Sequence, residues 1–512
     1  MPWGACGSSD GVKVAKDPLG QALRRHFGWQ GFRPGQRQVV EALLEGRDCL
    51  AVLPTGAGKS LCYQLPALVR EGVVVVVSPL VALMQDQVAQ LRRRGIAASC
   101  LHGGQTAEEQ RSLGEAVQAG RLRLLYLAPE RLRTESTRAM LAELHQAGRL
   151  VALAVDEAHC ISAWGHDFRP DYRRLGDLRR LCPGLPLVAL SATASPRVRA
   201  EIIRLLRLSR PLVQVRSARR DNLHYAMRRR PPEALPAVLE EVGQARGAVL
   251  IYARTRRSVE DWAVRLAEAG LPTAAYHAGM DAEHRQAALA FFQADPSPVL
   301  VATIAFGMGL DRPDVGLVLH LDLPASAEGY LQESGRAGRD GGPARCVVLF
   351  DPADRVALGW AIRAAGRRTA AEGLEPALEA RAVQAQRAVR QMEAVAEGED
   401  CREQALLRAV GEVVDPCGRC DNCLASSQRR DWSTHALRLL ETIEAADGAD
   451  LRSLRRTLET GAGAAEPPWG WLARRLVQEE LIGESDDGVQ RLWLRASGRH
   501  FLRCPWPLHW AA

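Results

Sequence analysis

Leu50-Ala51-Val52-Leu53-Pro54-Thr55-Gly56-Ala57-Gly58-Lys59-Ser60 is the stretch on which the fold turns. The apolar run 50–53 reads as a buried strand. Pro54 ends it, because proline brings no N–H to a ladder. Gly56 and Gly58 let the backbone turn tightly, so that successive N–H groups converge on a phosphate at the positive end of a helix starting near Lys59. Thr55, Gly56, Gly58, Lys59 and Ser60 are the candidate nucleotide contacts. Lys59 reaches the β- and γ-phosphates, and the Ser60 hydroxyl ligates Mg²⁺. The generic pattern would place its first glycine at Leu53, so only Gly58-Lys59-Ser60 fits. The plain alternative is a glycine turn carrying a surface lysine.

Around this loop, strands alternate with helices. Apolar runs at 50–53, 73–77, 122–127, 151–155 and 187–190 are separated by helical patterns such as 82–93 and 107–118. Short apolar strands in that order predict a parallel sheet covered on both faces. Ligands of such sheets sit at the carboxyl ends of the strands, and the polar motifs fall there. Asp156-Glu157-Ala158-His159 follows the strand 151–155. Asp156 is suited to hold Mg²⁺ with Ser60, Glu157 to orient and deprotonate the attacking water, and His159 to sense the phosphate end. Residues 160–172 are the densest polar-aromatic stretch in a chain that is 5% aromatic. Trp164 and Phe168 offer stacking surfaces, and His166 and Arg169 offer phosphate or base contacts. Ser191-Ala192-Thr193 closes the strand 187–190.

Upstream, a helical region over 20–45 breaks at 28–35, where Trp29, Arg33 and Gln36 cluster. An aromatic face, a guanidinium and an amide suit an adenine. A helix–turn–helix corner with a buried tryptophan accounts for them equally. Downstream, a second alternating region covers 212–350, with strands near 212–215, 248–252, 273–276, 299–302, 316–320 and 345–350 and no second Gly-Lys-Ser loop. It carries a glycine-punctuated strand end at 302–311 and Gln332-Glu333-Ser334-Gly335-Arg336-Ala337-Gly338-Arg339-Asp340. Arginines three apart would share one helix face. One of them is a candidate arginine finger, the other reading being a solvated basic helix.

Four of the 12 cysteines group late in the chain. Cys417, Cys420 and Cys423, spaced three and three, can close on a tetrahedral Zn²⁺ with Cys401 as fourth ligand. Four protein ligands leave no open position, so the site reads as structural; free thiols on a loop are the alternative. The scattered remainder suits a reducing cytoplasm. No run nears the roughly 18 apolar residues that span a bilayer, and the net charge of +7 permits a nucleic-acid partner without demanding one. Residues 433–445, 450–459 and 468–480 read as helices ahead of strands near 481–484 and 490–495. That order predicts a winged helix, with Arg452, Arg455, Arg456, Arg474 and Arg475 as phosphate contacts. A small capping domain with ordinary surface arginines is the other reading. The wing turn Asp486-Asp487-Gly488 is acidic and lacks an aromatic.

Taken together these motifs resemble a RecQ-family DNA helicase of helicase superfamily two. The resemblance rests on Phe27 to Gln36, the Gly-Lys-Ser loop, Ser78-Pro79-Leu80 with Gln85-Asp86-Gln87, Asp156 to His159, Ser191 to Thr193, Tyr276-His277-Ala278-Gly279, the 302–313 and 332–341 stretches, the aromatic loop and the zinc cysteines. It covers about residues 20–425. It implies an α/β protein with two RecA-like parallel-sheet lobes, then a helical zinc-binding subdomain and a winged helix. The expected boundaries are a 1–19 tail, lobe 1 at 20–210, lobe 2 at 211–353, the zinc subdomain at 354–428 and the winged helix at 429–512. It implies ATP, Mg²⁺ and Zn²⁺ as cofactors and ATP-driven 3′ to 5′ unwinding of DNA in repair or recombination. Trp29, where the family usually has tyrosine, would bind adenine with Arg33 and Gln36. Lys59, Asp156, Glu157, Gln332, Arg336 and Arg339 would be catalytic, Arg339 being the expected finger. His159, Trp164, His166, Phe168 and Arg169 would couple DNA contact to hydrolysis. The expected partners are single-stranded and duplex DNA and a single-stranded-DNA-binding protein, with no membrane, a monomeric or weakly oligomeric state and a cytoplasmic, nucleoid-associated location. The competing functions are an RNA helicase and a nucleic-acid-stimulated ATPase switch that does not unwind.

Overall fold

The computed structural model describes residues 17–162, 169–304, 312–370, 375–425, 430–446, 449–459, 469–485 and 490–510. They form two compact units. The first takes residues 17–162, 169–192 and 199–216; the second takes 193–198 and everything from 217 onward.

The first unit holds a seven-stranded parallel sheet: β1 (Cys49–Val52), β2 (Val73–Val77), β3 (Ala98–Leu101), β4 (Leu124–Leu127), β5 (Leu150–Val155), β6 (Leu187–Ser191) and β7 (Leu212–Val215). Its order is β3-β4-β2-β5-β6-β1-β7. The five valines of β2 are all buried, as a strand covered on both faces requires. Two features differ from the sequence expectation. The run 212–215, assigned above to the second region, pairs in parallel with β1, Cys49 opposite Leu212, and extends the first unit to Arg216. Its burial alternates along an outer edge. It therefore carried the same strand signal as the next sheet. β3 was not anticipated, since Ala-Ser-Cys-Leu has no β-branched residue to mark it.

The second unit contains a six-stranded parallel sheet: β8 (Leu223–Arg229), β9 (Ala248–Tyr252), β10 (Thr273–Tyr276), β11 (Val299–Ala302), β12 (Val315–His320) and β13 (Ala344–Phe350), in the order β10-β11-β9-β12-β13-β8. β8 was also missed. Its His224, Arg228 and Arg229 hide an edge strand that pairs with β13 over seven residues. Helices Ala353–Ala370, Glu375–Glu397 and Arg402–Ala409 follow. Val389, Met392, Leu406, Leu407 and Cys420 belong to the same core cluster as Tyr225, Tyr330 and Phe350. The zinc segment therefore shares the sheet's core instead of owning one.

The last part has its own core. Helices Ser433–Ala445, Leu451–Glu459 and Trp469–Gln478 pack with a small antiparallel sheet of Ala449–Asp450, Arg491–Leu494 and Ile482–Glu484. The acidic wing turn at 486–488 lies outside the described residues. Among the described residues, no helix is long and apolar enough to cross a membrane.

Candidate nucleotide and metal sites

In the first unit, β6 lies between β5 and β1. The loops leaving these three strands therefore share one carboxyl edge. After β1, Gly56 and Gly58 stand at φ +82° and +72°, where glycine alone turns without a Cβ penalty. The loop delivers Lys59 and Ser60 to the start of helix Leu61–Val69. The Lys59 ammonium lies 3.5 Å from the Leu53 carbonyl. Thr55 is half-buried in the loop.

Arg33 and Gln36 brace this loop from outside. Gln36 Nε2 donates to the Ala57 and Gly58 carbonyls, both at 2.9 Å, and its Oε1 accepts the Arg33 N–H at 2.8 Å. The Arg33 guanidinium donates to the Gly56 carbonyl. Trp29 is 43% exposed, so it is not the buried corner residue of the alternative reading, and it stacks on Phe27 at 5.3 Å.

At the end of β5, Asp156 is buried. Burial and the neighbouring Glu157 push its carboxyl up to about 7, while Lys59 pulls the other way. A carboxyl so placed lacks compensating positive charge, which is what a divalent cation supplies. Tyr172 donates its hydroxyl to the Asp156 carbonyl at 3.0 Å and fixes the strand end, a contact the sequence did not signal. Glu157 takes a left-handed backbone, φ +46°, rare outside glycine and asparagine. Its carboxylate lies 3.4 Å from His159 Nδ1, which stands 3.1 Å from Ser191 Oγ at the end of β6. The Asp156–His159 and Ser191–Thr193 motifs are thus joined through one buried histidine. Arg169 donates to the Pro79 carbonyl at 2.6 Å, tying its loop to the Ser78-Pro79-Leu80 motif. Trp164, His166 and Phe168 lie outside the described residues.

In the second unit, Gln332 sits on helix Ala327–Ser334, but Arg336 and Arg339 do not. This corrects the shared helix face expected for them. The Gly335 N–H closes the last helical turn on Leu331, and Gly338 turns at φ +53°. A Cβ on Gly338 would stand 2.5 Å from Asn222 Nδ2 and 2.7 Å from the Gly342 carbonyl. Arg220 and Asn222 both donate to the Gly338 carbonyl and clamp the turn. Arg336 is buried and Arg339 half-buried. Of the glycine-punctuated stretch after β11, residues 305–311 lie outside the described residues.

The Sγ atoms of Cys401, Cys417, Cys420 and Cys423 all lie within 4.8 Å of one another. The pairs 417–423 and 401–420 are 4.0 and 3.9 Å apart. Tetrahedral Zn–S bonds of about 2.3 Å need sulfurs about 3.8 Å apart. Main-chain N–H groups of Cys417, Cys420, Cys423 and Arg402 donate to these sulfurs at 3.1–3.4 Å, a setting for thiolates. The cluster fits a closed structural Zn²⁺ site. Around it, Asp421 accepts from Arg402 and from the Met227 N–H of β8, and Arg419 holds Glu403 with two 2.8 Å contacts. Single arginines and carboxylates give no such signal in a sequence.

The C-terminal arginines divide. Arg474 contacts Glu397 at 2.9 Å, and Arg475 is buried with its guanidinium over Trp510, so both are turned into the protein. This corrects their assignment as phosphate contacts. Arg452, Arg455 and Arg456 face solvent.

Residues 33–202 match the DEAD/DEAH box helicase family, 232–341 the helicase conserved C-terminal domain and 362–424 the RecQ zinc-binding family. The ATP-dependent DNA helicase RecQ of Haemophilus influenzae is 40% identical over 441 residues, 84% of this chain and 68% of that protein. The chain belongs to the RecQ family. RecQ of Pasteurella multocida is 41% identical over 82% of this chain, of which the chain spans 64% of the length. The yeast helicase SGS1 is 37% identical, with 30% of its length covered. The RecQ likeness read from the motifs and the two RecA-like lobes agree with these matches. Among solved structures, Mycobacterium smegmatis helicase Lhr bound to ssDNA and AMP-PNP aligns over 95% of this chain and 62% of its own, with a TM-score of 0.54 and 19% identity. That likeness speaks for the fold alone.

Proposed function

We propose that this RecQ chain is a DNA helicase that spends ATP, with Mg²⁺, to move along single-stranded DNA and part duplex DNA in the 3′ to 5′ sense, as repair and recombination need. The observation that carries it is the shared edge where Lys59, Ser60, Asp156, Glu157 and His159 meet in a RecQ-family sheet. Lys59 and the loop N–H groups hold the triphosphate, Trp29 offers its exposed ring to the adenine, and Arg33 and Gln36 set the loop beneath it. Ser60 and Asp156 hold Mg²⁺, which offsets charge on the phosphate oxygens. Glu157 orients water and takes its proton, with His159 keeping the carboxylate in place. Gln332, Arg336 and Arg339 supply the remaining polar and positive groups for the γ-phosphate, with Arg339 as finger. The residues 160–172 link DNA contact to hydrolysis. Helices 433–478 with the antiparallel strands form a winged helix, and the three exposed arginines of Leu451–Glu459 meet duplex phosphates. A soluble, nucleoid-associated protein with a single-stranded-DNA-binding protein as partner, monomeric or weakly associated, completes the proposal.

The test is unwinding of a 3′-tailed duplex together with ATPase on single-stranded DNA and RNA. Wild type should unwind and respond to DNA. Lys59→Ala should lose ATPase by about a hundredfold or more, consistent with removal of a phosphate clamp, while binding DNA within twofold of wild type. Stimulation by RNA alone would favour an RNA helicase, and ATPase without unwinding a switch.

A further inference from the structure

His320 ends β12 opposite Tyr252 at the end of β9. Its ring is 3% exposed and held on three sides. Tyr252 stacks on it at 4.9 Å and 26°, and Tyr330 meets it edge-on at 5.0 Å. Nε2 lies 2.8 Å from Glu333 Oε2. With a carboxylate as acceptor, Nε2 carries the proton. Nδ1 is buried with no hydrogen-bond partner among the described residues, which costs stability. An apolar ring would fill the same space between two tyrosines without that cost. The polar pair is thus better explained by what it holds.

What it holds is the start of the arginine segment. Glu333 lies in the last turn of helix Ala327–Ser334, and its carbonyl accepts the Arg336 N–H at 3.2 Å. The Arg336 guanidinium also faces Tyr252. Burial pushes that phenol up to about 12, and Arg336 pulls the other way. One imidazole therefore fixes both the side chain of the residue whose carbonyl takes the Arg336 N–H and the tyrosine ring beside the Arg336 guanidinium.

We infer that His320, through Glu333 and Tyr252, is a positioning residue for Arg336 in ATP hydrolysis. The inference rests on the proposed role of the arginines. Misplacing a charged group by about 1 Å costs on the order of a hundredfold in rate, and a lost buried hydrogen bond permits such a shift. His320 touches no phosphate in this scheme; it acts only through Arg336.

The experiment is DNA-stimulated ATPase of the full chain, with single-stranded-DNA affinity and thermal midpoint measured alongside. His320→Ala should lower kcat about tenfold to a hundredfold, with KM for ATP and DNA affinity within twofold. His320→Gln, which returns an amide donor toward Glu333, should recover part of that loss. In the double variant with Arg336→Ala, His320→Ala should cause no further loss, because both act on one group. Losses that multiply, or an unchanged kcat in His320→Ala, overturn the inference. Should His320→Ala not fold, Glu333→Ala carries the same test, and unchanged kcat there overturns it. Full activity in both Arg336→Ala and Arg339→Ala removes the arginine assignment as well. Loss in Arg336→Ala with none in His320→Ala removes this inference alone.

Discussion

At Gly58 two demands coincide. The backbone stands at φ +72°, and a Cβ would sit 2.7 Å from Gln36 Nε2. Alanine there costs about 1–2 kcal/mol for the left-handed backbone and also pushes away the amide that holds the Ala57 and Gly58 carbonyls. Because the strain falls on the loop, Gly58→Ala should raise KM for ATP tenfold or more while the thermal midpoint falls by only a few degrees. Fluorescent-nucleotide binding and a melting curve check this; unchanged nucleotide affinity refutes it. Gly58 was legible in the sequence because Gly-Lys-Ser after an apolar strand is a local pattern with a local cause. The bracing role of Gln36 was not legible. The amide lies 22 residues before the carbonyl it holds, and no spacing rule ties such positions together.

At the scale of elements, helix Glu375–Glu397 carries Glu393 and Glu397 into a buried ionic cluster. Arg355 lies 3.2 Å from Glu393 and 2.6 Å from Glu484, and Arg474 lies 2.9 Å from Glu397. The cluster ties this helix to a helix and a strand of the C-terminal part. Burial pushes the Glu393 carboxyl up to about 7, with Arg355 opposing. An unfolded glutamate titrates near 4.3, so the folded chain binds the extra proton between those values. The stability this contributes is complete below the unfolded value and is lost as pH rises through about 7. Glu393→Gln stays neutral, so its thermal midpoint should gain on wild type from pH 5 to about 7 and level off above it. A constant difference across that range contradicts the assignment. The helix itself was legible from composition, since alanine, arginine and glutamate favour it. Its buried carboxylates were not, because the same glutamates on a free helix would face water. Likewise Arg336 and Arg339 read as helical, but the helix stops at Ser334, before both, and Gly338 turns the chain between them.

Over the whole molecule, the second unit shares its core and its polar ties between β8, β13 and the zinc segment, whereas the nucleotide loop belongs to the first unit. Removing Zn²⁺ leaves four close sulfurs no longer tied to one another and should loosen Asp421 from its place between Arg402 and the Met227 N–H. A structural zinc contributes folding free energy directly, so its loss should open what it anchors. After chelator treatment, or in Cys420→Ser, hydrogen exchange should speed up in residues 401–425 and in β8. Leu61–Val69 and β1 should keep wild-type protection, and fluorescent ATP should still bind within about threefold. Equal deprotection of both units would mean that the zinc segment supports the entire chain, and unchanged exchange in β8 would mean that Asp421 and Arg402 do not transmit the metal's effect. The predicted split follows from which side chains share a core, and it separates a structural metal from a catalytic one. A catalytic metal's removal would abolish turnover while leaving exchange at 401–425 untouched.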